Sequence, residues 1–98
     1  MRFRFKKKTL DLLYYEEKGT RKYPTEAIDA FFKVMSIIAA AVDVRDLYAM
    51  KSLHFEKLTG KRKKERSVRL TKQWRLTMIL KEDERGNYLL ILDIEDYH

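Results

Sequence analysis

The sequence contains no cysteine, one proline and two histidines among its 98 residues. Without cysteine, the fold has no disulfide bond and no thiolate metal site. A chain of this kind suits a reducing compartment, and we expect the protein to be cytoplasmic.

Long apolar segments are also missing. The longest apolar run, residues 34–44, is interrupted by Ser36 and Asp43 and is too short to span a bilayer. The N-terminal segment, residues 1–8, is basic but is not followed by the apolar stretch of a secretion signal. We therefore expect no transmembrane span and interpret the N-terminus as the first structural element.

Positive charge is what the sequence has in excess. Lysine and arginine number 22 against 15 aspartates and glutamates, which gives a net charge of +7. A small basic domain is attracted to polyanions such as nucleic acid, the ribosome or an anionic membrane surface. The membrane is the weakest of these alternatives, because no predicted helix combines a strong apolar face with a basic one. A protein that is basic without a functional reason is the simpler alternative.

Two helices and a short third one are predicted in the first half of the chain. Apolar residues recur at helical spacing after Lys8, and Gly19 is expected to end that helix. A second helix begins near Pro24, and its broad apolar stripe extends to Ala39 and is expected to pack against a sheet. Asp43 is expected to cap the short third helix.

Strand patterns lie on both sides of these helices. Residues 2–5 alternate between arginine and phenylalanine. Four further strands are predicted at residues 53–57, 66–70, 74–81 and 88–95. We expect the first strand to pair with the last, which brings Arg4 near the sheet of the site. The chain is thus predicted to be one α+β domain, residues 1–98, with two N-terminal helices plus a short third packed on one face of a mainly antiparallel sheet.

The loop between the strands at 66–70 and 74–81 decides which residues face each other. A two-residue turn would oppose charged residues to core residues. A three-residue loop, Thr71-Lys72-Gln73, instead pairs Val68 with Leu76 on the core face. It also places Arg69 and Arg75 side by side on the other face.

Two opposed arginines repel each other unless an anion accompanies them. Alternation places Asp93 on the polar face of the last strand together with Leu89, Ile91 and Glu95, where it could reach Arg75. One alternative is therefore a structural bridge between Arg75 and Asp93 on a solvated face. The other is a phosphate site built from Arg69 and Arg75, because a guanidinium can bond phosphate oxygens bidentately. Strand alternation alone favours neither.

The C-terminal residues add acid–base and stacking groups. His98 can take up or release a proton near neutral pH. Tyr97 can stack on a base or hold a hydroxyl, and Asp96 can orient an imidazole or pair with an arginine. His54 is predicted on the polar face of its strand and can face the same surface. With the arginines, these groups suit metal-free RNA cleavage: a base takes the 2′-hydroxyl proton, a cation stabilises the phosphorane and an acid protonates the leaving 5′ oxygen. Each residue singly also has a structural explanation, such as a frayed terminus or a surface histidine.

The segment from Thr59 to Arg66 holds five positive charges in eight residues and has no apolar face. It is either a solvated hairpin loop or a grip on a phosphate backbone, and we favour the grip. The predicted RNA- or ribosome-binding residues are Lys57, Lys61, Arg62, Lys63 and Lys64.

Three short motifs, in this order and near this spacing, resemble the HigB-type toxins of the RelE superfamily of bacterial toxin–antitoxin systems. They are Ser67-Val68-Arg69, Trp74-Arg75-Leu76 and the closing Asp96-Tyr97-His98. Leu53-His54, before a glycine-containing basic loop, is similar as well. The order of strand, helices and antiparallel strands is similar over most of the chain, and the tail is the most specific part of the resemblance.

The resemblance implies a RelE-like α+β ribonuclease that enters the ribosomal decoding site and cuts mRNA without a metal or another cofactor. Such proteins leave a 2′,3′-cyclic phosphate and inhibit growth, and a HigA-like helix-turn-helix antitoxin neutralises them. The resemblance further implies that His98 is the general acid or base, that Tyr97 stacks on or orients the RNA and that Asp96 supports the tail. Arg69 and Arg75 would hold the scissile phosphate.

His54 is implied to be an auxiliary residue of that site. Two positions depart from the family pattern. Thr59-Gly60 stands where the family often has Lys-Gly, and Lys57 or Lys61 would have to substitute. Glu65-Arg66 stands where an aromatic residue often precedes the Ser-Val-Arg motif. The alternative function is a non-catalytic RNA- or ribosome-binding protein on the same scaffold.

Overall fold

The structure is a computed structural model that describes residues 1–97. The predicted acid–base residue His98 lies outside the described residues. Three α-helices and five strands follow one another along the chain. They are β1 (Phe3–Phe5), α1 (Lys8–Glu16), α2 (Thr25–Ala40), α3 (Val44–Ala49), β2 (Glu56–Lys57), β3 (Glu65–Arg69), β4 (Trp74–Asp83) and β5 (Gly86–Asp96).

The five strands form one sheet in the order β1-β5-β4-β3-β2. β1 runs parallel to β5, and every other neighbouring pair is antiparallel. The helices contribute Leu10, Leu13, Phe31, Met35 and Leu47 to a core whose other side is the inner face of the sheet. The predicted α+β class, the helices on one sheet face and the pairing of the first strand with the last are confirmed. Within residues 1–97, no helix is both long enough and apolar enough to cross a membrane.

Helix α2 forms the centre of the core because its apolar stripe recurs at helical spacing. Phe31, Met35 and Ile38 on this stripe are completely buried. Pro24 precedes the first turn, where its carbonyl accepts from the backbone N–H groups of residues 27 and 28. Ala39, which the sequence assigned to the stripe, is exposed.

The end of α1 differs from the prediction. The helix stops at Glu16, and Glu17 takes the left-handed backbone conformation with φ 54°. The N–H groups of Glu17 and Lys18 then bond the carbonyls of Leu13 and Leu12, at 3.1 and 3.2 Å. Gly19 was therefore the wrong stop, because a glutamate supplies the helix-ending geometry that glycine usually provides.

The hairpin between β3 and β4 follows the predicted three-residue loop. Val68 is paired with Leu76, and Arg69 with Arg75. The backbone N–H of Leu70 closes the loop by donating to the Trp74 carbonyl at 2.9 Å. The two arginines consequently share the face of the sheet opposite the helices.

A β-bulge in the last hairpin changes the predicted faces of β5. Thr77 is paired with Asp93 but the next residue of β4 is paired with Ile91, so Leu92 is the extra residue. Leu89 and Ile91 are completely buried in the core, whereas Asp93 lies on the outer face. Simple alternation, which put Leu89 and Ile91 on the polar face with Asp93 and Glu95, was wrong for the two apolar residues because alternation does not continue through a bulge.

The predicted strand at residues 53–57 is mostly a turn. Only Glu56–Lys57 is strand, and a 3₁₀ turn at Lys51–Leu53 precedes it. His54 has φ 50°, and it is exposed between the buried Leu53 and Phe55. Buried and exposed side chains thus alternate along this segment, although its backbone is not extended.

Candidate active site

The candidate site lies on the outer face of the sheet, where Arg69 and Arg75 are directly opposed. Strands β3 and β4 fix the two backbones, and the pleat directs both side chains away from the core. Arg69 is exposed, whereas the side chain of Arg75 retains 20% of its exposure. Two like charges are therefore held side by side on a rigid part of the fold.

Tyr97 lies against both of these guanidiniums. The centroid of its ring is 5.0 Å from Cζ of Arg75, and its hydroxyl accepts a hydrogen bond from Arg69 Nε at 3.3 Å. A guanidinium over an aromatic ring is attracted by the negative face of the ring. The tyrosine therefore connects the two arginines.

Two hydrogen bonds hold the tail against the β3–β4 loop. The backbone N–H of Tyr97 donates to the Gln73 carbonyl at 2.8 Å, and the Gln73 side-chain amide donates to Asp96 at 3.0 Å. This contact fits the predicted supporting role of Asp96.

A hollow of about 120 Å³ lies beside the two arginines. Its lining includes Arg69, Arg75, Tyr97 and His54, together with the strand residue Ser67. His54 reaches it from the turn before β2, and the left-handed backbone there replaces the predicted strand. The structure thus brings four of the six predicted catalytic residues to one hollow, whereas Asp96 is paired across the strands with Trp74 and is not part of the lining.

The counter-ion of Arg75 is not the predicted one. Arg75 is paired across the strands with Glu95, and Nη2 of Arg75 lies 3.4 Å from Glu95 Oε1. Asp93 lies further along the strand and binds Lys7 at 2.8 Å, a contact that raises the pKa of Lys7. The predicted alternative of an Arg75–Asp93 bridge was wrong. The bulge sets the register between β4 and β5, and in this register Glu95, not Asp93, faces Arg75.

The sequence interpretation placed Glu95 on the polar face of the last strand but assigned it no role in the site. It accepts hydrogen bonds from Arg62 at 2.5 and 2.9 Å and from the Thr77 hydroxyl at 2.8 Å. These bonds, that of Arg62 foremost, hold the pKa of Glu95 at about 2. Its position two residues before Tyr97 was visible in the sequence, but its partners depend on the bulge.

The predicted binding residues, Lys57 at the end of β2 and four residues of the basic loop after it, divide into exposed and inward-facing charges. Lys57, Lys61, Lys63 and Lys64 are exposed. Arg62 instead turns to the sheet, where its guanidinium is bonded to carboxylates on two strands and its pKa is raised by these bonds. Four of the five predicted binding residues therefore point to solvent, and the fifth belongs to the ion-pair network of the site.

Two donors in this region are buried without a partner within residues 1–97: Nε of Arg75 and Nε1 of Trp74. A buried donor without an acceptor costs about 1–3 kcal/mol. The described residues form no group of three or more metal-ligating side chains. The groups that line the hollow include two guanidiniums, a phenol, an imidazole and the carboxylate of Glu56.

Comparisons with known proteins agree with this architecture. A family model described as the RelE-like toxin of type II toxin–antitoxin system HigB matches residues 3–98. Toxin HigB-1 of Vibrio cholerae serotype O1 is 36% identical over 76 residues, 78% of this chain and 80% of that protein. The YoeB/ParE toxin from Agrobacterium tumefaciens shares the fold, with a TM-score of 0.56 and 12% identity over 100% of both chains. This chain therefore belongs to the HigB-like toxins, which are RelE-family toxins of type II toxin–antitoxin systems.

Proposed function

We propose that this toxin is a ribosome-dependent mRNA endonuclease that cleaves by metal-independent acid–base chemistry. The observation that carries the proposal is the convergence of Arg69, Arg75, Tyr97 and His54 on one hollow beside the chain terminus. Two cations, a stacking ring and an imidazole are groups that suit the transesterification of RNA.

In the proposed reaction, a base removes the proton of a ribose 2′-hydroxyl, and the 2′ oxygen attacks the neighbouring phosphorus. Arg69 and Arg75 bind the phosphate oxygens and stabilise the added negative charge of the phosphorane. The bond from phosphorus to the 5′ oxygen then breaks, and an acid protonates that oxygen. The products are a 2′,3′-cyclic phosphate and a 5′-hydroxyl end.

We propose that His98 transfers one of these two protons, because the ordinary pKa of a histidine side chain lies near neutrality. Tyr97 would stack on a base next to the cleaved bond, and Asp96 would keep the tail in place through Gln73. His54 lines the same hollow and is the proposed auxiliary group.

Two partners belong to the proposal. The exposed Lys57, Lys61, Lys63 and Lys64 would contact ribosomal RNA through its phosphates, which gives affinity without a base code. A type II toxin implies a cognate antitoxin, and we propose that it is a HigA-like helix-turn-helix protein. The proposed site of action is the translating ribosome in the cytoplasm.

Induced expression tests this function against simple RNA or ribosome binding. Wild-type protein is expected to arrest growth and to produce new 5′-hydroxyl ends within translated messages. His98→Ala and Arg75→Ala are expected to abolish both effects, because each removes a group from the reaction. Arg85→Ala is the matched control, since it removes one exposed arginine from the turn at the far end of β4.

Cleavage that survives in His98→Ala and Arg75→Ala would reject the proposed chemistry. Growth arrest without new RNA ends, equal in wild type and variants, would instead support the non-catalytic binding protein.

A further inference from the structure

Glu95 lies between two arginines that it does not bind equally. The shorter contacts are those with Arg62, at 2.5 and 2.9 Å, and the contact with Arg75 is 3.4 Å. This is unexpected from the strand pairing, because Glu95 is the direct cross-strand neighbour of Arg75, whereas Arg62 comes from the loop before β3. The loop residue thus holds the carboxylate more closely than its neighbour in the sheet does.

We propose that Arg62 is a positioning residue that draws the Glu95 carboxylate away from Arg75 and so leaves Arg75 able to bind an RNA phosphate. The proposal rests on the proposed function, in which Arg75 holds the scissile phosphate. It assigns Arg62 an indirect role in the site in place of a direct contact with ribosomal RNA.

The geometry of Arg62 suits this role because its guanidinium is fixed from two sides. Nε and Nη2 donate to Glu65 at distances between 2.7 and 3.1 Å, while Nη1 and Nη2 donate to Glu95. The Thr77 hydroxyl donates to the same Glu95 oxygen that Arg62 Nη2 binds. Only a planar fork with several donors can bridge two carboxylates in this way.

Charge balance gives the same result. Arg62, Arg69 and Arg75 are balanced by three carboxylates, Glu65 and Glu95 of the ion-pair network and Glu56 of the hollow's lining. Without Arg62 the cluster has a net charge of −1, which disfavours an anion, and Glu95 has Arg75 as its remaining arginine partner. A direct pair between these two neighbours would then compete with the phosphate for the same guanidinium.

Suppression by a second substitution tests the proposal. Arg62→Ala is expected to weaken binding of a fully 2′-O-methylated RNA oligonucleotide about tenfold, and to lower mRNA cleavage in the same proportion. Adding Glu95→Gln is expected to restore most of both, because the competing charge is removed while a similar shape is kept. Glu95→Gln alone is expected to bind at least as tightly as wild type.

Asp83→Asn is the matched control for the second substitution. Asp83 also lies on β4–β5 and forms a two-bonded pair with an arginine, Arg2, at 2.6 and 3.0 Å. Asp83→Asn raises the net charge by one, as Glu95→Gln does, but the substituted residue lies at the opposite end of the hairpin. It is therefore expected not to restore an Arg62→Ala protein. Thermal denaturation of every variant shows that the proteins compared are folded.

Full activity of Arg62→Ala would overturn the proposal. The proposal would also be overturned if adding Glu95→Gln did not restore the Arg62→Ala protein, or if Asp83→Asn restored it equally well. Failure to restore would fit direct contact of Arg62 with RNA. If Arg62→Ala does not fold, Arg62→Lys gives the same test, because one ammonium cannot bridge both carboxylates bidentately. The methylated oligonucleotide cannot be cleaved, so its binding tests the role of Arg62 even if the wild type proves not to be a nuclease.

Discussion

At the scale of single residues, the carboxylate of Glu95 connects the basic loop to the site. It accepts from Arg62 on the loop and from Thr77 and Arg75 on β4. The sequence predicted the arginine pair correctly, because that prediction needed only the length of one loop and the alternation of two short strands. Alternation also placed Glu95 on the polar face, but it could not predict that Glu95 pairs with Arg75, because this register depends on one extra residue, Leu92, which has no clear signature in the sequence.

The depressed pKa of Glu95 gives a pH dependence with a definite sign. Folding shifts this pKa from its ordinary 4.5 to about 2, so the folded state favours the charged form. The resulting stabilisation is complete above pH 4.5 and is lost as the pH falls toward 2. We expect the difference in free energy of unfolding between wild type and Glu95→Gln, measured by urea denaturation, to shrink across that interval.

The cause of that shift can be separated from general acid destabilisation. Asp83 also has its pKa lowered to about 2, chiefly by its hydrogen bonds with Arg2. In an Arg62→Ala, Arg75→Ala background, neither arginine can bond Glu95, so the pH dependence due to Glu95 is expected to diminish, and that due to Asp83 is expected to persist. An unchanged Glu95 effect in this background would show that the two arginines are not its main cause.

At the scale of elements, sequence patterns located every helix and strand but misplaced several ends. Helix α2 was predicted well because apolar residues that recur at helical spacing over a long segment indicate a helix and not a strand. The segment around His54 was not, because the alternating burial of Leu53 and Phe55 is the same for a strand and for this turn. The conformation of such a turn depends on tertiary packing, which the sequence pattern does not reveal.

The end of α1 offers a test of stability that leaves the site untouched. Glu17 has φ 54°, a conformation that costs less for glycine than for other residues. Glu17→Gly is expected to stabilise the fold by about 1 kcal/mol, which raises the melting temperature by about 4 to 8 °C for a domain of this size.

Glu16→Gly is the matched control for this change. Glu16 is the last residue within the helix, where glycine is about 1 kcal/mol less favourable than a good helix former. It is therefore expected to lower the melting temperature. If both variants shift the melting temperature in the same direction, the left-handed conformation of Glu17 is not the source of the difference.

At the scale of the whole molecule, the net charge is +7, and at least two groups of exposed lysines contribute to it. One group surrounds the proposed ribosome contact, Lys57, Lys61, Lys63 and Lys64. The other lies around α1 and the turn after it. Total charge attracts a polyanion from a distance, but only the group that touches phosphates releases counterions from them. The two contributions are therefore separable by salt.

We expect the affinity for bacterial ribosomes to fall linearly with salt on a double-logarithmic plot. Replacing Lys57, Lys61, Lys63 and Lys64 by glutamine is expected to reduce the slope by up to about 3, since each phosphate contact contributes about 0.7–0.9. The control variant carries the same change at four exposed lysines of the other group, Lys6, Lys8, Lys18 and Lys22.

Both quadruple variants have the same net charge, so long-range attraction falls equally in the two. If the loop lysines contact ribosomal RNA, the slope changes in the first variant and stays near the wild-type value in the control. Equal slopes in the two variants would mean that the loop contributes only general charge, and that the ribosome contact lies elsewhere on the molecule.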